Sequence, residues 1–336
     1  GAEYNESRYA KELAKQIDAN YNETVPTAKD FVDILPYLIY MLDEPLAGPG
    51  LVPQYFVSRL AKKKVKVVLG GQGGDEIFGG YARYLIGYLE QAIKGAIFEN
   101  SEEGNHLVSL SDIITQLPLL KEYKPLMEQF WRRGLFENMD ARYFQLINRN
   151  VEIEKNLCSE LLEEFNSEEL FSTFQDIFNS AETTSYINKM THFDQKTLLP
   201  ALLQVEDRVS MAVSIESRVP FLDTDLVDRV TTMAPKMKFQ GGKSKNILKL
   251  AFANDLPSNI INRVDKMGFP VPLSLWLKGG IVREFVSDTL LSNKSLTRGI
   301  YKAETLKKII DGNSVAGREI WGALCLEIWH QEFIDG

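Results

Sequence analysis

The chain has 336 residues, 44% hydrophobic and 25% charged, an ordinary globular balance at a length that suits two tightly packed parts. Its net charge of −8 repels phosphate backbones, which excludes a general nucleic-acid binder but leaves small anionic ligands open. No run approaches the roughly 18 apolar residues of a membrane span and no secretory signal pattern is visible, so the expected location is the cytoplasm, with no membrane partner.

From the first residue to about 85 the pattern alternates between helix and strand. Ala10, Leu13, Ala14 and Ile17 recur at helical spacing, and Tyr21 to Val25 reads as a short strand. Thr27 and Asp30 form a T-x-x-D capping signal. Phe31, Ile34, Leu35, Leu38, Ile39 and Leu42 follow as one long apolar stripe, with a kink expected at Pro36. Pro53 suits a helix first turn, with Phe56, Val57 and Leu60 on one face. Val65, Val67, Val68 and Leu69 predict a compact buried strand. The alternation predicts an α/β fold, a parallel sheet covered by helices, over residues 1–85. Residues 86–336 predict a mainly α-helical part, as in the spacing of Leu306, Ile309 and Ile310, with an exposed loop from Asn100 to Asn105.

The two cysteines, Cys158 and Cys325, make no disulfide framework and lack zinc-ligand spacing. His106, His192 and His330 are far apart and form no histidine metal motif.

The sharpest local feature directly follows the Val65–Leu69 strand: Gly70-Gly71-Gln72-Gly73-Gly74-Asp75-Glu76-Ile77-Phe78-Gly79-Gly80-Tyr81. Ligands of open α/β sheets bind beyond the carboxyl ends of strands. Glycines there permit close approach and positive φ, and successive N–H groups can cradle an anion. A dinucleotide G-x-G-x-x-G from Gly71 would need glycine where Glu76 stands, and a Walker loop from Gly74 would need lysine where Gly80 stands. The segment is therefore another kind of phosphate loop or a tight turn. Asp75 and Glu76 offer the carboxylate that Mg²⁺ favours beside a nucleotide, or cap the next helix.

Downstream, Asp207, Arg208, Ser210, Glu216, Ser217 and Arg218 crowd a stretch that reads as buried. Buried charges must be paired, so Asp207 and Arg218 are expected in an internal charge network. For Arg208 and Glu216 a supporting role and a direct role both stay open. Gly241-Gly242-Lys243-Ser244-Lys245, before a helix start, is a phosphate-reaching arrangement or a solvated lysine face. Arg263, Lys266, Gly268, Phe269 and Trp276 again set basic residues beside glycine and aromatics.

Together these stretches resemble the glutamine-hydrolysing asparagine synthetase family, in its C-terminal synthetase part. The loop is similar to S-G-[ED]-G-[SG]-D-E-[LI]-F-G-G-Y, and Glu206 to Asp223 resembles D-R-x-S-M-A-x-x-x-E-x-R-x-P-F-L-D. Lys245 to Lys249 resembles K-x-x-L-[RK], Met267-Gly268-Phe269 with Pro272 is similar to K-x-G-F-x-x-P, and Asp43-Glu44-Pro45 matches a D-E-P. The resemblance runs in order over nearly the whole chain.

It implies an incomplete parallel-sheet core of the adenine-nucleotide α-hydrolase type with a large appended helical part. It implies ATP and Mg²⁺ as cofactors, and aspartate or a related carboxylate as substrate. The carboxylate attacks the α-phosphorus of ATP, giving β-aspartyl-AMP and pyrophosphate; ammonia then displaces AMP. Gly70, Gly71, Gly73 and Gly74 would contact ATP. Asp75 would bind the metal, and Lys245 would contact the phosphates. Arg208 and Glu216 join Gln72 and Lys245 as candidate catalytic residues. Gln72 stands where the family carries an acid, and Gly70 where it carries serine. The family's S-G-G-x-D-S-S loop and N-terminal glutaminase domain are not in this chain, whose first residues resemble the family's segment just downstream of that loop. The expectation is a piece of a longer enzyme, inactive by itself, that takes ammonia from the glutaminase; a homodimer is among the expected assemblies. Gln72 motivates an alternative acceptor, such as a sugar acid or secondary-metabolite carboxylate. A non-catalytic nucleotide-binding scaffold is the reading from another class.

Overall fold

The computed structural model of the chain describes residues 5–45, 48–98, 103, 110–114, 117, 120, 123–148, 155–240, 243–263, 268–311 and 317–336. The first helix, α1 (Ser7–Gln16), buries none of its residues. Tyr21 to Val25 forms no strand; it runs on to α2 without a ladder partner, and Val25 is 77% exposed. β-branched residues favour extended backbone, but a strand also needs a neighbour to accept its hydrogen bonds.

Helix α2 (Ala28–Leu42) starts where the capping signal predicts. The Thr27 hydroxyl accepts from the Asp30 N–H at 3.1 Å, and the Asp30 carboxylate accepts from the Thr27 N–H at 2.8 Å. Pro36 lies within this helix, which continues through it. Helix α3 (Leu51–Ala61) carries Pro53 in its first turn; it buries Phe56 and leaves Val57 exposed on the other side.

Strand β1 (Val67–Leu69) leads into the glycine loop, and α4 (Gly74–Phe78) and α5 (Ala82–Phe98) come next. The helical part continues through α6 (Met139–Ile147), α7 (Ser167–Asn179), α8 (Tyr186–Lys196) and α9 (Leu198–Met211). Strand β2 (Glu216–Arg218) then pairs with β1 in parallel, Val67 opposite Glu216 and Leu69 opposite Arg218. Further on come α10 (Asn246–Ala251), α11 (Ile281–Leu290), α12 (Ala303–Ile310) and α13 (Gly317–Phe333).

The parallel pairing agrees with the predicted α/β character, but among the described residues the sheet has two strands in a helix-rich molecule. With so little sheet around it, β1 is not the buried strand its valines predict. Val65, Val67 and Leu69 are exposed, and Val68 alone of the four packs on the core.

Among the described residues two large cores, with a small third cluster of Ile77, Phe78 and Val230, organise the helices. The first joins Phe31, Leu35 and Leu38 of α2, Val205 and Val209 of α9, Val286 and Leu290 of α11, and Leu324 of α13. Each such side chain taken fully from water contributes about 1.5–3 kcal/mol. The second core is aromatic: Tyr84 and Tyr88 of α5 pack with Tyr143, Phe174, Phe178, Tyr186 and Phe193. Arg142 crosses it, paired with Glu90 at 2.5 Å and donating to the Phe130 and Arg133 carbonyls. The second core draws on residues from Tyr84 to Phe193 together with Phe239, while Val205, Val209 and later residues such as Val286 contribute to the first.

Most of the expected loop from Asn100 to Asn105 lies outside the described residues. Glu103 within it is buried and accepts hydrogen bonds from Tyr88 and from the Tyr186 backbone, so that position is not exposed. Among the described residues no helix is long and apolar enough to cross a membrane.

Candidate functional site

The glycine loop leaves the carboxyl end of β1 and turns at once into α4. Gly73 supplies the turn with φ of 90°, and a Cβ there would overlap Leu222. Gly70 donates its N–H to the Arg218 carbonyl at 2.7 Å, extending the sheet by one bond. That donor is therefore engaged by β2, whereas Gly71 is exposed with open space where a Cβ would stand. Gly74 packs on the Phe221 ring.

Asp75 and Glu76 diverge. Glu76 turns inward, 2% exposed, and accepts the Tyr81 hydroxyl; burial and this carboxylate together push the Tyr81 phenol well up. Asp75 pairs with Lys245, Oδ1 to Nζ 2.7 Å. Lys245 reaches it from the N-cap of α10 with φ of 56°, a left-handed conformation that costs a side-chain-bearing residue energy and that the surroundings must impose. Gly80 makes the meeting possible, since a Cβ there would overlap both Asp75 Oδ1 and Lys245 Cε. Lys249, one turn on, is half-buried; desolvation first, then Lys245 and Lys243, push its ammonium down. Lys243 and Lys249 thus add positive charge near Lys245, which suits an anionic ligand.

The remaining candidates divide. Arg208 pairs with Asp43 at 2.8 Å, at the end of α2, where the Asp43 carbonyl also accepts the Trp329 indole. Glu216 and Arg218 pair with each other on one side of β2. All of these, and Asp207, are exposed rather than buried, so the expected internal charge network is not present in that form. The physical reason is helix phase. Val205 and Val209 set the buried side of α9, and Asp207 and Arg208 fall away from it. Arg263 pairs with Glu6 beneath the Tyr9 ring, and Trp276 packs on Phe31 in the core. Gly241, Gly242, Lys266 and Met267 lie outside the described residues.

Gln72 forms a centre of its own. It donates Nε2–H to Glu206 of α9, which also accepts from Gln54 of α3 and, at 2.5 Å, from the Ser217 hydroxyl of β2. Glu206 is the residue that motif reading passes over. The available signal is its position next to Val205, one step round from the buried side, where a carboxylate is half-covered and needs donors. Gln72 Oε1 is buried without a hydrogen-bond partner, and a Cβ on Gly70 would overlap it.

As a metal ligand, Asp75 stands alone: among the described residues no group of three or more His, Cys, Asp or Glu could hold an ion. One carboxylate supplemented by phosphates and water is how Mg²⁺ commonly binds, so the residues fit that ion in company with a nucleotide.

The family model for asparagine synthase matches residues 1–331. Asparagine synthetase (glutamine-hydrolysing) 1 of Bacillus subtilis is 30% identical over 340 residues, covering 99% of this chain and 51% of that protein. A Mycobacterium bovis protein, provisionally named as the same kind of synthetase, is 29% identical over 348 residues, with 99% and 49% covered. Asparagine synthetase (glutamine-hydrolysing) 3 of Bacillus subtilis is 26% identical over 297 residues, with 86% and 41% covered. The chain spans about half the length of these relatives.

Proposed function

The chain belongs to the asparagine synthase family, and we propose that it carries the ATP-consuming part of a glutamine-dependent amide synthesis in which aspartate becomes asparagine through β-aspartyl-AMP. The supporting observation is the Asp75–Lys245 pair, which unites two distant motifs beside a glycine loop at the end of a parallel strand. A carboxylate resists amines because oxide is a poor leaving group, and adenylation replaces it with AMP. In this reading the helical part completes an incomplete nucleotide-hydrolase core, and ammonia comes from a glutaminase domain of the longer protein.

Roles are set by position. Lys245 and its lysine neighbours face the ATP phosphates and the departing pyrophosphate, where a cationic side chain stabilises developing charge. Asp75 would hold Mg²⁺, which when bound supplies charge neutralisation at the phosphates. Gly71 gives backbone access to the nucleotide, and Gly73 and Gly74 shape the turn. Arg208 and Glu216 act through their partners Asp43 and Arg218, in support of the site.

A second reading keeps adenylation and changes the acid. Gln72 favours it, because an amide meets an acyl acceptor with different chemistry from a carboxylate. ATP–pyrophosphate exchange by the full-length gene product, driven by aspartate and by a panel of sugar and hydroxy acids, separates the two. Exchange that no acid stimulates would refute adenylation.

A further inference from the structure

Three side chains from three elements converge on one carboxylate. Gln54 and Gln72 donate to Oε2 of Glu206, and Ser217 donates to Oε1. All three donors are neutral, and among the described residues no cation pairs with Glu206. Neutral donors hold a carboxylate in place without cancelling its charge. The arrangement also fixes the Gln72 amide. Turned over, it would set its oxygen against the Glu206 oxygen, so Nε2 faces Glu206 and Oε1 faces the other way. That Oε1 is buried and accepts from nothing. Beside the glycine loop there are thus a fixed negative charge and an orphaned acceptor, and both call for an N–H group.

The geometry points to Glu206 as the catalytic carboxylate of the amide-forming step, with Gln72 as the neutral group that orients it. This assignment rests on the amide-synthesis reading above. The lone pair of ammonia forms the C–N bond at the acyl carbon. The acyl C–O bond to the adenylate phosphate breaks, and its electron pair leaves on AMP. The proton shed by the nitrogen passes to Glu206. The charge of the pair resides on the helix residue, and the loop residue carries none.

The test is a charge exchange in the full-length gene product, supplied with ammonium in place of glutamine and with whichever acid supports exchange. Glu206→Gln is expected to lower amide formation about 100-fold, the low end of what a positioned proton acceptor contributes. Acid-dependent ATP–pyrophosphate exchange should fall at least about tenfold less than amide formation does, because adenylation precedes the proton transfer. Gln72→Glu alone sets two carboxylates in contact and is also expected to lose amide formation. The double variant Gln72→Glu/Glu206→Gln restores one charge, moved across one hydrogen bond. It is expected to regain at least about tenfold over Glu206→Gln. Equal loss of both activities in Glu206→Gln, or a double variant no better than that single one, would show a merely structural carboxylate. If Glu206→Gln fails to fold, the comparison of the double variant with Gln72→Glu decides, and no gain overturns the assignment. Wild-type protein without any acid-dependent exchange removes the ligase reading itself, and this assignment with it.

Discussion

Asp75 and Lys245 meet at 2.7 Å across a residue that has no side chain. Gly80 is that residue, and a Cβ on it would fall on Asp75 Oδ1 and Lys245 Cε. The lysine end could swing aside, but the aspartate is short and is carried by α4. Gly80→Ala is therefore expected to part the pair and to cost about 1–3 kcal/mol, the range for overpacking. Urea unfolding reads the stability loss. ATP–pyrophosphate exchange in the full-length protein is expected to fall at least about tenfold if the pair serves the phosphates.

The pair itself separates a structural from a chemical role. Lys245 and Asp75 are 18% and 23% exposed, so each is largely withdrawn from water. Lys245→Met removes the cation that pairs with Asp75 and is expected to cost about 1–3 kcal/mol, less than a fully buried pair because water still reaches both groups. Adding Asp75→Asn removes the other charge of the pair, so the double variant is expected to regain part of that stability. Exchange activity should stay lost in the double variant, since both the phosphate contact and the metal ligand are gone. A double variant that regained activity with stability would remove both residues from the chemistry.

Legibility in the sequence tracks the range of the interactions involved. The α2 N-cap is a contact between Thr27 and Asp30, three residues apart, and it is legible in full. The meeting of the two loop motifs is legible only through the family resemblance, since each stretch by itself leaves a bland reading open. The exposure of Val67 and Leu69 is not, since it depends on how many strands flank β1, which no local pattern encodes. Asp207 and Arg208 look buried because their neighbours are apolar; helix phase, not neighbourhood, decides which side meets water. Gly70 and Gln72 read as two separate departures from a family pattern. The structure makes them one, because the Gln72 amide oxygen occupies the space a Gly70 side chain would need. Glu206 escapes notice since its importance lies in three donors from elsewhere in the chain.

Lys238 yields a pH dependence. It is 1% exposed, no carboxylate pairs with it among the described residues, and burial pushes its ammonium from 10.5 down to about 8. Between those values the unfolded chain holds a proton that the folded chain has released, so stability rises with pH through that window. Above 10.5 both states are neutral and the cost is gone; below about 8 it is present in full. Lys238→Met keeps the stem volume and removes the charge. It is expected to stabilise the protein at pH 7 by on the order of 2–3 kcal/mol and to flatten the alkaline rise. Urea midpoints at pH 7, 9 and 10.5 check both, and an unchanged pH slope would contradict the assignment.

Coupling between positions 70 and 72 is open to a double-mutant cycle. A Cβ at Gly70 would drive Gln72 Oε1 from its place and with it the Nε2 donor from Glu206. Gly70→Ala is expected to cost about 1–3 kcal/mol, through overlap and through a carboxylate short of one donor. In a Gln72→Ala background the obstacle is absent, since the truncated side chain no longer reaches Gly70. There the same change should cost under about 0.5 kcal/mol, the scale of an ordinary surface substitution. The coupling energy is then about 1 kcal/mol or more, well outside the additivity seen for independent sites. Costs that add instead would mean that the glycine at 70 answers to the sheet bond with Arg218 and not to the glutamine beside it.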